Sequence, residues 1–446
     1  MNLDLKIKYK LFEKTDFASL VLFRICFGIL AIWEVIRFFY HGWVEHLYAK
    51  ASFHFKYEYF TWIDAWPGHG MQIHFFVVGL AAFFICIGFL YRIASIIFFL
   101  GYTYIFLVER ALYNNHYYLI CLLGFFLILM PLNRNFSIDS ILWPKLKQYS
   151  VSSVWIWIIR FQMSIVYFYG GLAKFDPDWL NGMAPKALIK IGAYDTPIFS
   201  LIDYPIVYLF YAWSGLFFDL LIPFFLLYSR TRLVAFVAAL IFHIHNIFIF
   251  NIGIFPFMAI LLTLMFFPSD FPKQFLKFFN FKLEFPNKDH QNNELIIPNN
   301  FLKSIISIYF FWQLIFPFRH IFTPGWTTWH QEGHLFAWRM MLVQKNVQML
   351  FEVENPNTGE KRYAPPEDYL NIPQQFKLAR NPDMILQFSH HIRDLVIKNA
   401  NFTPEILATV KVGINGRSYR DFLKPDIDLA KVKRFTPAYE WSIPFK

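Results

Sequence analysis

The chain has 446 residues, 57% of them hydrophobic, 21% aromatic and only 16% charged, with 57 phenylalanines and a net charge of +10. Soluble globules hold roughly half apolar and roughly a quarter charged residues, so this composition excludes a soluble domain and defines an integral membrane protein. Cys26, Cys86 and Cys121 all fall in apolar segments without CxxC or metal-ligand spacing, which excludes a secreted disulfide framework and leaves no metal site to expect.

A helix needs roughly 20 residues to cross about 30 Å of hydrocarbon. Apolar runs of that order occur at 17–40, 72–90, 93–110, 116–132, 154–173, 206–228, 233–250, 252–268 and 302–320. The expected fold class is therefore mainly α, a polytopic transmembrane helical bundle of eight to nine helices followed by a small α+β extramembrane domain. Nine is the working number, because 116–132 and 252–268 are short enough to be broken or tilted. Lys6, Lys8, Lys10 and Lys14 precede a first run too long for a signal-peptide core and lacking a small-residue cleavage site, so the first helix is expected to be an anchor.

Basic residues near span ends favour the cytoplasmic side. With the N-terminus inside, inner loops hold Lys6 to Lys14, Arg92, Arg134, Lys145, Lys147, Arg230, Arg232, Lys273, Lys277, Lys282 and Lys288, and 283–299 reads as one such loop. The outer segments keep Lys50, Lys56, Arg110, Lys174, Lys186 and Lys190, with Trp62 and Trp66 of the outer loop 41–71 suited to the interface. The excess of positive charge is thus a topology signal; no clustered stripe points to nucleic acid.

Composition shifts near 321, dividing the chain into 1–320, a membrane domain, and 321–446, an outer domain. A helix or loop is expected around 333–344. Alternation in VQMLFEVENPNTGEKRYAP and in ATVKVGINGRSYRDF, the latter around Asn415-Gly416, predicts two hairpins. Between them Met384, Ile385, Phe388, Ile392, Leu395 and Val396 share one helical face. No internal repeat is visible.

Ionisable groups inside spans are costly and need a reason. Arg24, Glu34, Arg37, Glu109, Arg110, Arg160 and Asp219 read first as structural pairs or interfacial anchors. Topology singles out others: Asn114-Asn115-His116 opens the fourth span, Lys174 follows the fifth, His243 and His245 lie past the middle of the seventh, and Arg319-His320 closes the ninth. All approach the outer leaflet. His243 and His245, two residues apart, cannot both face the bundle interior. Lys174 is either a snorkelling anchor or, desolvated at a pocket wall, a neutral general base. A neighbouring imidazole could donate to or accept from the oxygen being ionised. Without GxSxG, HExxH, GxGxxG or Walker sequences, proton transfer is the chemistry on offer. An aromatic-lined pocket would suit an apolar ring with two oxygens, such as a quinol.

The segments YNNHYYL (113–119), YFYGGLAKFDPDWLNG (167–182), FHIHNIFIFNIGIFPF (242–257), FPFRHIFTPGWTTWHQEGHLFAWRMML (316–342), and SHHIRDL through VGINGRSYRDFLKPDIDLA (389–430) together resemble the vitamin K-dependent γ-glutamyl carboxylases and their bacterial homologues of the horizontally transferred transmembrane domain group. The resemblance implies a coupled reaction. A base lysine deprotonates vitamin K hydroquinone, or a related menaquinol, and O2 adds. The resulting alkoxide removes the γ-proton of a protein glutamate, which takes up CO2 while the quinol leaves as its epoxide. It assigns the base to Lys174, epoxidation to His116 and the Phe-His of the seventh span to His243. Asn115 and His320 match polar positions at the same site, and Arg319, His245 and Trp329 complete the substrate-binding candidates.

The implied partners are the bilayer, a lipid-soluble quinol, a glutamate-containing protein or peptide, and a quinone reductase. The implied location is a bacterial plasma membrane, with the N-terminus cytoplasmic and the C-terminal domain outside. Animal enzymes carry tandem lysines where this chain has Ala173-Lys174, and a tyrosine at His334. The alternatives are a quinol epoxidase or quinone-binding homologue that does not carboxylate, or a proton-coupled transporter.

Overall fold

The computed structural model describes residues 10–280 and 295–445, apart from Asp195, Asn251 and Ala379. Lys6, Lys8, Lys282, Lys288 and most of the 283–299 stretch lie outside the described residues.

Hydrocarbon offers backbone N–H and C=O groups no partner but one another, so apolar runs become helices. Every predicted run holds one. They are α1 Ala18–Tyr40, α2 Gly70–Ile87, α3 Tyr91–Val108, α4 Asn115–Leu129 and α5 Val154–Leu172, then, after the short α6 Met183–Gly192, α7 Pro205–Leu227, α8 Arg232–Ile249 and α9 Phe255–Leu264, and, after the amphipathic α10 Phe271–Phe278, α11 Asn300–Ile315. Six have the length and apolar composition to cross a membrane: α1, α2, α3, α7, α8 and the stretch Asn300–Phe322 that contains α11. The apolar α4 and α9 are shorter, and α5 carries Arg160 and Gln162. This mainly helical region precedes a smaller α+β domain.

Helices α1 to α4 pack in succession; α5 lies on α7, α7 on α8, and α8 on α9, which closes the bundle against α1 and α5. Two crossings depend on glycine. A Cβ on Gly28 of α1 would sit 2.6 Å from the Cβ of Cys86 on α2, and one on Gly171 of α5 would sit 2.8 Å from the backbone nitrogen of Leu220 on α7. Gly171→Ala is expected to force α5 and α7 apart and to cost about 1–3 kcal/mol. A thermal midpoint unchanged from the parent would contradict the close crossing.

Loop 41–71 and the C-terminal region share one face of the bundle. Phe55 is buried in the C-terminal core, Phe53 stacks on His391 with centroids 4.4 Å apart, and the Lys56 N–H donates to Gln387 Oε1 at 2.8 Å. On the opposite face β1 (Lys14–Asp16) pairs antiparallel with β2 (Ser150–Ser152), and Lys273 Nζ lies 2.5 Å from Asp16.

The segment 331–343 is a loop, not a helix. Gln331, Phe336, Trp338 and Met341 all have positive φ, a conformation that tertiary contacts must impose on residues with side chains. Trp338, fully buried, supplies one such contact and donates its Nε1–H to Gln313 Oε1 at 3.3 Å.

Beyond it, β3 (Lys345–Glu354) pairs over its whole length with β5 (Glu405–Ile414), Lys345 opposite Ile414 and Glu354 opposite Glu405. Short β4 (Lys361–Tyr363) and β6 (Arg420–Asp421) complete an antiparallel sheet of order β4-β3-β5-β6, so both predicted hairpins form. At the second, Asn415 (φ 49°) and Gly416 (φ 85°) make the left-handed turn that matches strand twist. Helix α12 (Ile372–Leu378) leads into α13 (Pro382–Ala400), whose Met384, Ile385, Phe388 and Ile392 are buried against Phe351, Ile406, Val410 and Val412. The predicted face is the packed one, with Leu395 and Val396 half-buried at its end.

Candidate functional site

A cavity of about 900 Å³ lies where α4, α5, α7, α8 and the start of α9 meet the loop 327–344 and α12. Lys174, His116, His243 and Asn115 line it.

Lys174 sits just past α5, its N–H donating to Gly171 O at 2.9 Å. Its buried Nζ is 2.5 Å from Asp219 Oδ2, 3.2 Å from Gly170 O and 5.0 Å from the centre of the Trp179 ring. It is therefore not a snorkelling anchor reaching for water: Asp219 of α7 supplies a buried countercharge. Gly170 of α5 leaves room for that carboxylate, since a Cβ there would lie 3.3 Å from Asp219 Oδ2. Pro223, one turn after Asp219, has no N–H to give the Asp219 carbonyl.

His243 is buried on α8 with Nε2 2.7 Å from the Tyr167 hydroxyl, while its Nδ1 has no partner. His116, near the start of α4, lies edge-on to Tyr117 and 6.3 Å from the Phe255 ring, and makes no side-chain hydrogen bond to the described residues. Asn115 Oδ1 accepts from the Tyr113 hydroxyl at 2.9 Å and its Nδ2 donates to Arg339 O at 3.3 Å, tying α4 to the loop above it.

The remaining candidates face elsewhere. His245 is half-buried on the other side of α8, 3.1 Å from the Tyr211 hydroxyl, as the spacing of two residues requires. Arg319 donates to the carbonyls of Leu335 and Phe316, and His320 Nδ1 lies 2.8 Å from Pro317 O. Trp329 belongs to the C-terminal core and donates to Ile443 O at 2.8 Å. None of these four lines the cavity.

Residues that sequence reasoning did not place here also line it, including Asp219, Tyr167, His334, Arg339, Lys377 and Arg380. Asp219 carried the one available signal, a carboxylate inside an apolar span. Tyr167 lies on α5, and the others come from the loop and from α12 and the residues just after it, whose path the sequence does not reveal. Arg37 is paired with Glu34, Nη2 to Oε1 at 2.7 Å, and Arg110 with Asp383. Arg339 and Lys377 have no acidic partner within 4 Å among the described residues, and Arg380 reaches only oxygens of Gln344 and Lys345 at 3.5 Å. These side chains therefore give the cavity wall positive charge. Burial, with Arg380 adding to it, holds Lys377 down to about 8. Burial, aided by Arg110 and Lys377, holds His334 down to about 3, so its imidazole is neutral at physiological pH.

No group of three or more His, Cys, Asp or Glu side chains that could hold a metal ion occurs among the described residues. The cysteines are free.

The apolar helices, the chamber between them and the appended sheet define a multi-pass membrane protein whose polar groups meet where bundle and α+β domain join. Residues 12–271 match the HTTM domain, and residues 298–446 match the lumenal domain of vitamin K-dependent gamma-carboxylase. The chain belongs to this HTTM and vitamin K-dependent carboxylase family, a membership that supports a quinol-epoxidase or carboxylase-like role in general. No solved structure matches it.

Proposed function

We propose that this protein couples epoxidation of a reduced vitamin K or related menaquinol by O2 to carboxylation of protein glutamate with CO2. The observation that carries the reading is that one chamber carries two unlike kinds of lining. Val166, Phe242, Phe250 and Phe255 line it together with Lys174, His116 and His243, and so do the cations Arg339, Lys377 and Arg380. The apolar lining suits a quinone ring and tail, and the cations an acidic side chain.

When bound, the quinol supplies a hydroxyl proton and the electrons that O2 takes up. Lys174 faces that hydroxyl and receives its proton. His116, with no side-chain hydrogen bond to the described residues, offers a ring nitrogen to one ring oxygen, and Tyr167 fixes the orientation of His243 beside it. The aromatic wall excludes water, which would otherwise quench a strong base. Arg339, Lys377 and Arg380 hold the carboxylate to be modified. We assign residues up to about 320 to the catalytic membrane region and 321–446 to an outer domain, with the N-terminus cytoplasmic and the setting a bacterial plasma membrane.

The test is incubation of purified protein with hydroquinone, O2, labelled bicarbonate and a glutamate-containing peptide. Label fixed in the peptide is the expected result. Epoxide without fixed label would leave a quinol epoxidase, and neither product would contradict the reading.

A pH dependence follows. Lys377 is a cation below about 8 and neutral above it, so the attraction for a carboxylate is lost as pH rises. The KM for an acidic peptide is expected to increase several-fold between about pH 7 and about pH 9, and Lys377→Met to flatten that increase. A KM in the parent protein that is flat across this interval would remove Lys377 from peptide binding.

A further inference from the structure

We propose that Asp219 is the final acceptor of the proton drawn through Lys174, so that the working base is the Lys174–Asp219 pair and not the lysine alone. The proposal rests on the reading of the chamber as a quinol site. It begins from a difficulty that the geometry creates. An ammonium 2.5 Å from a carboxylate already carries its full set of protons and cannot accept another. A lysine held neutral at rest would avoid this, but would leave the Asp219 carboxylate buried without its countercharge, a costly state in a low-dielectric interior.

The pair resolves the difficulty with no added reactant. Lys174 passes one proton to Asp219, giving a neutral amine and a neutral acid. The amine then takes the proton of the hydroxyl it faces. One N–H bond breaks as the Asp219 O–H forms, and one N–H forms as the substrate O–H breaks. The result is an ammonium beside the new oxyanion, with protonated Asp219 behind it. One positive and one negative charge are buried before the transfer, and one of each after it. The countercharge to the oxyanion is thus in place when the oxyanion appears, as preorganised stabilisation requires.

Two further observations favour Asp219 over any other acceptor. Among the described residues lining the chamber it is the one carboxylate; the other titratable or charged groups there are Arg37, Arg110, Tyr113, His116, Tyr117, Tyr167, Tyr211, His243, His334, Arg339, Lys377 and Arg380, apart from Lys174 itself. Its backbone environment also fits a residue that must change charge at a fixed position. Gly171 lets α7 approach α5 closely, a Cβ on Gly170 would lie 3.3 Å from Asp219 Oδ2, and Lys174 Nζ is held by Gly170 O.

Because Asp219 acts through Lys174, it is a positioning and proton-storing residue. The test must therefore separate proton storage from mere support. Epoxide formation from hydroquinone and O2 is measured in purified wild type, Asp219→Asn, Asp219→Glu and Lys174→Ala, with quinone affinity and thermal midpoint followed in parallel. Asp219→Asn is expected to lower kcat by at least about 100-fold while quinone affinity stays within about threefold. The wild-type to variant rate ratio should then shrink as pH rises, because the isolated lysine must shed its own proton before it can act.

Asp219→Glu is expected to recover part of the rate with an altered pH profile, and it keeps the test open if Asp219→Asn does not fold. A dead Lys174→Ala alongside a fully active Asp219→Asn would overturn the pair and leave the quinol site standing. So would an Asp219→Glu profile superimposable on wild type. No epoxide from wild type at all would overturn the quinol site, and the pair with it.

Discussion

Lys174→Ala is expected to lower quinol epoxidation by at least about 100-fold, the scale of a lost general base, in protein that still folds and inserts. The fold should survive because Asp219, left without its ammonium, can bind a proton and sit as a neutral acid. The bundle elsewhere rests on contacts that do not pass through this side chain, such as the crossing of Gly171 with Leu220. Product analysis after incubation with hydroquinone and O2 reads the effect, with the thermal midpoint as control. Epoxide formed at the parent rate would remove Lys174 from the chemistry.

A second large effect is expected at Asp178, four residues along the same segment. Its carboxylate is 1% exposed and receives Arg417 at both oxygens, Nη2 at 2.6 Å from Oδ1, as well as Asn415 Nδ2 at 2.7 Å. Neighbouring Asp176 accepts from Trp326 Nε1 at 2.7 Å and Thr328 Oγ1 at 2.6 Å. These two acids bolt the Lys174 segment to the β5–β6 turn and to the loop roofing the chamber. Asp178→Ala leaves the buried Asn415 amide without its partner and releases the Arg417 guanidinium, whose side chain is 27% exposed and can turn to water, so it should cost about 1–3 kcal/mol, the usual consequence of leaving a buried polar group unpaired. A clear drop in thermal midpoint, together with reduced turnover from a displaced Trp179 and Lys174, is the expected outcome. A midpoint within a degree of the parent would show that the acids do not hold the domains together.

The helices were legible because a lipid environment leaves an apolar run only one regular way to satisfy its backbone. The convergence of His116, Lys174 and His243 on one chamber was legible for a related reason. Once the order of crossings is counted, the end of each helix is assigned to a face, and these three residues fall near the same one. The hairpin at Asn415-Gly416 was legible through turn chemistry alone, since both central residues must take positive φ.

What stayed hidden is rotation and path. A helix such as α7, apolar nearly all round, does not disclose which side faces its neighbours, so Asp219 could be noticed but not aimed. For α8 the spacing of His243 and His245 told that only one could point inward, and packing chose His243. For the loop 331–343 the sequence left helix and loop both open and gave no sign of its path, because its positive φ values are imposed by burial of residues such as Trp338 and by no local signal. That loop carries Arg339 and His334 into the chamber. The same region, close in sequence to the site, turns Arg319, His320 and Trp329 to other partners.

The most direct measurement of the central claim is epoxide formation by the purified protein in lipid nanodiscs, supplied with hydroquinone in air and, separately, under strict exclusion of oxygen. The account predicts quinone epoxide in air, none without O2, and a rate in air at least about 100-fold lower from Lys174→Ala. Hydroquinone recovered in air without enzyme-dependent epoxide, from folded wild-type protein shown to bind the quinone, would contradict it.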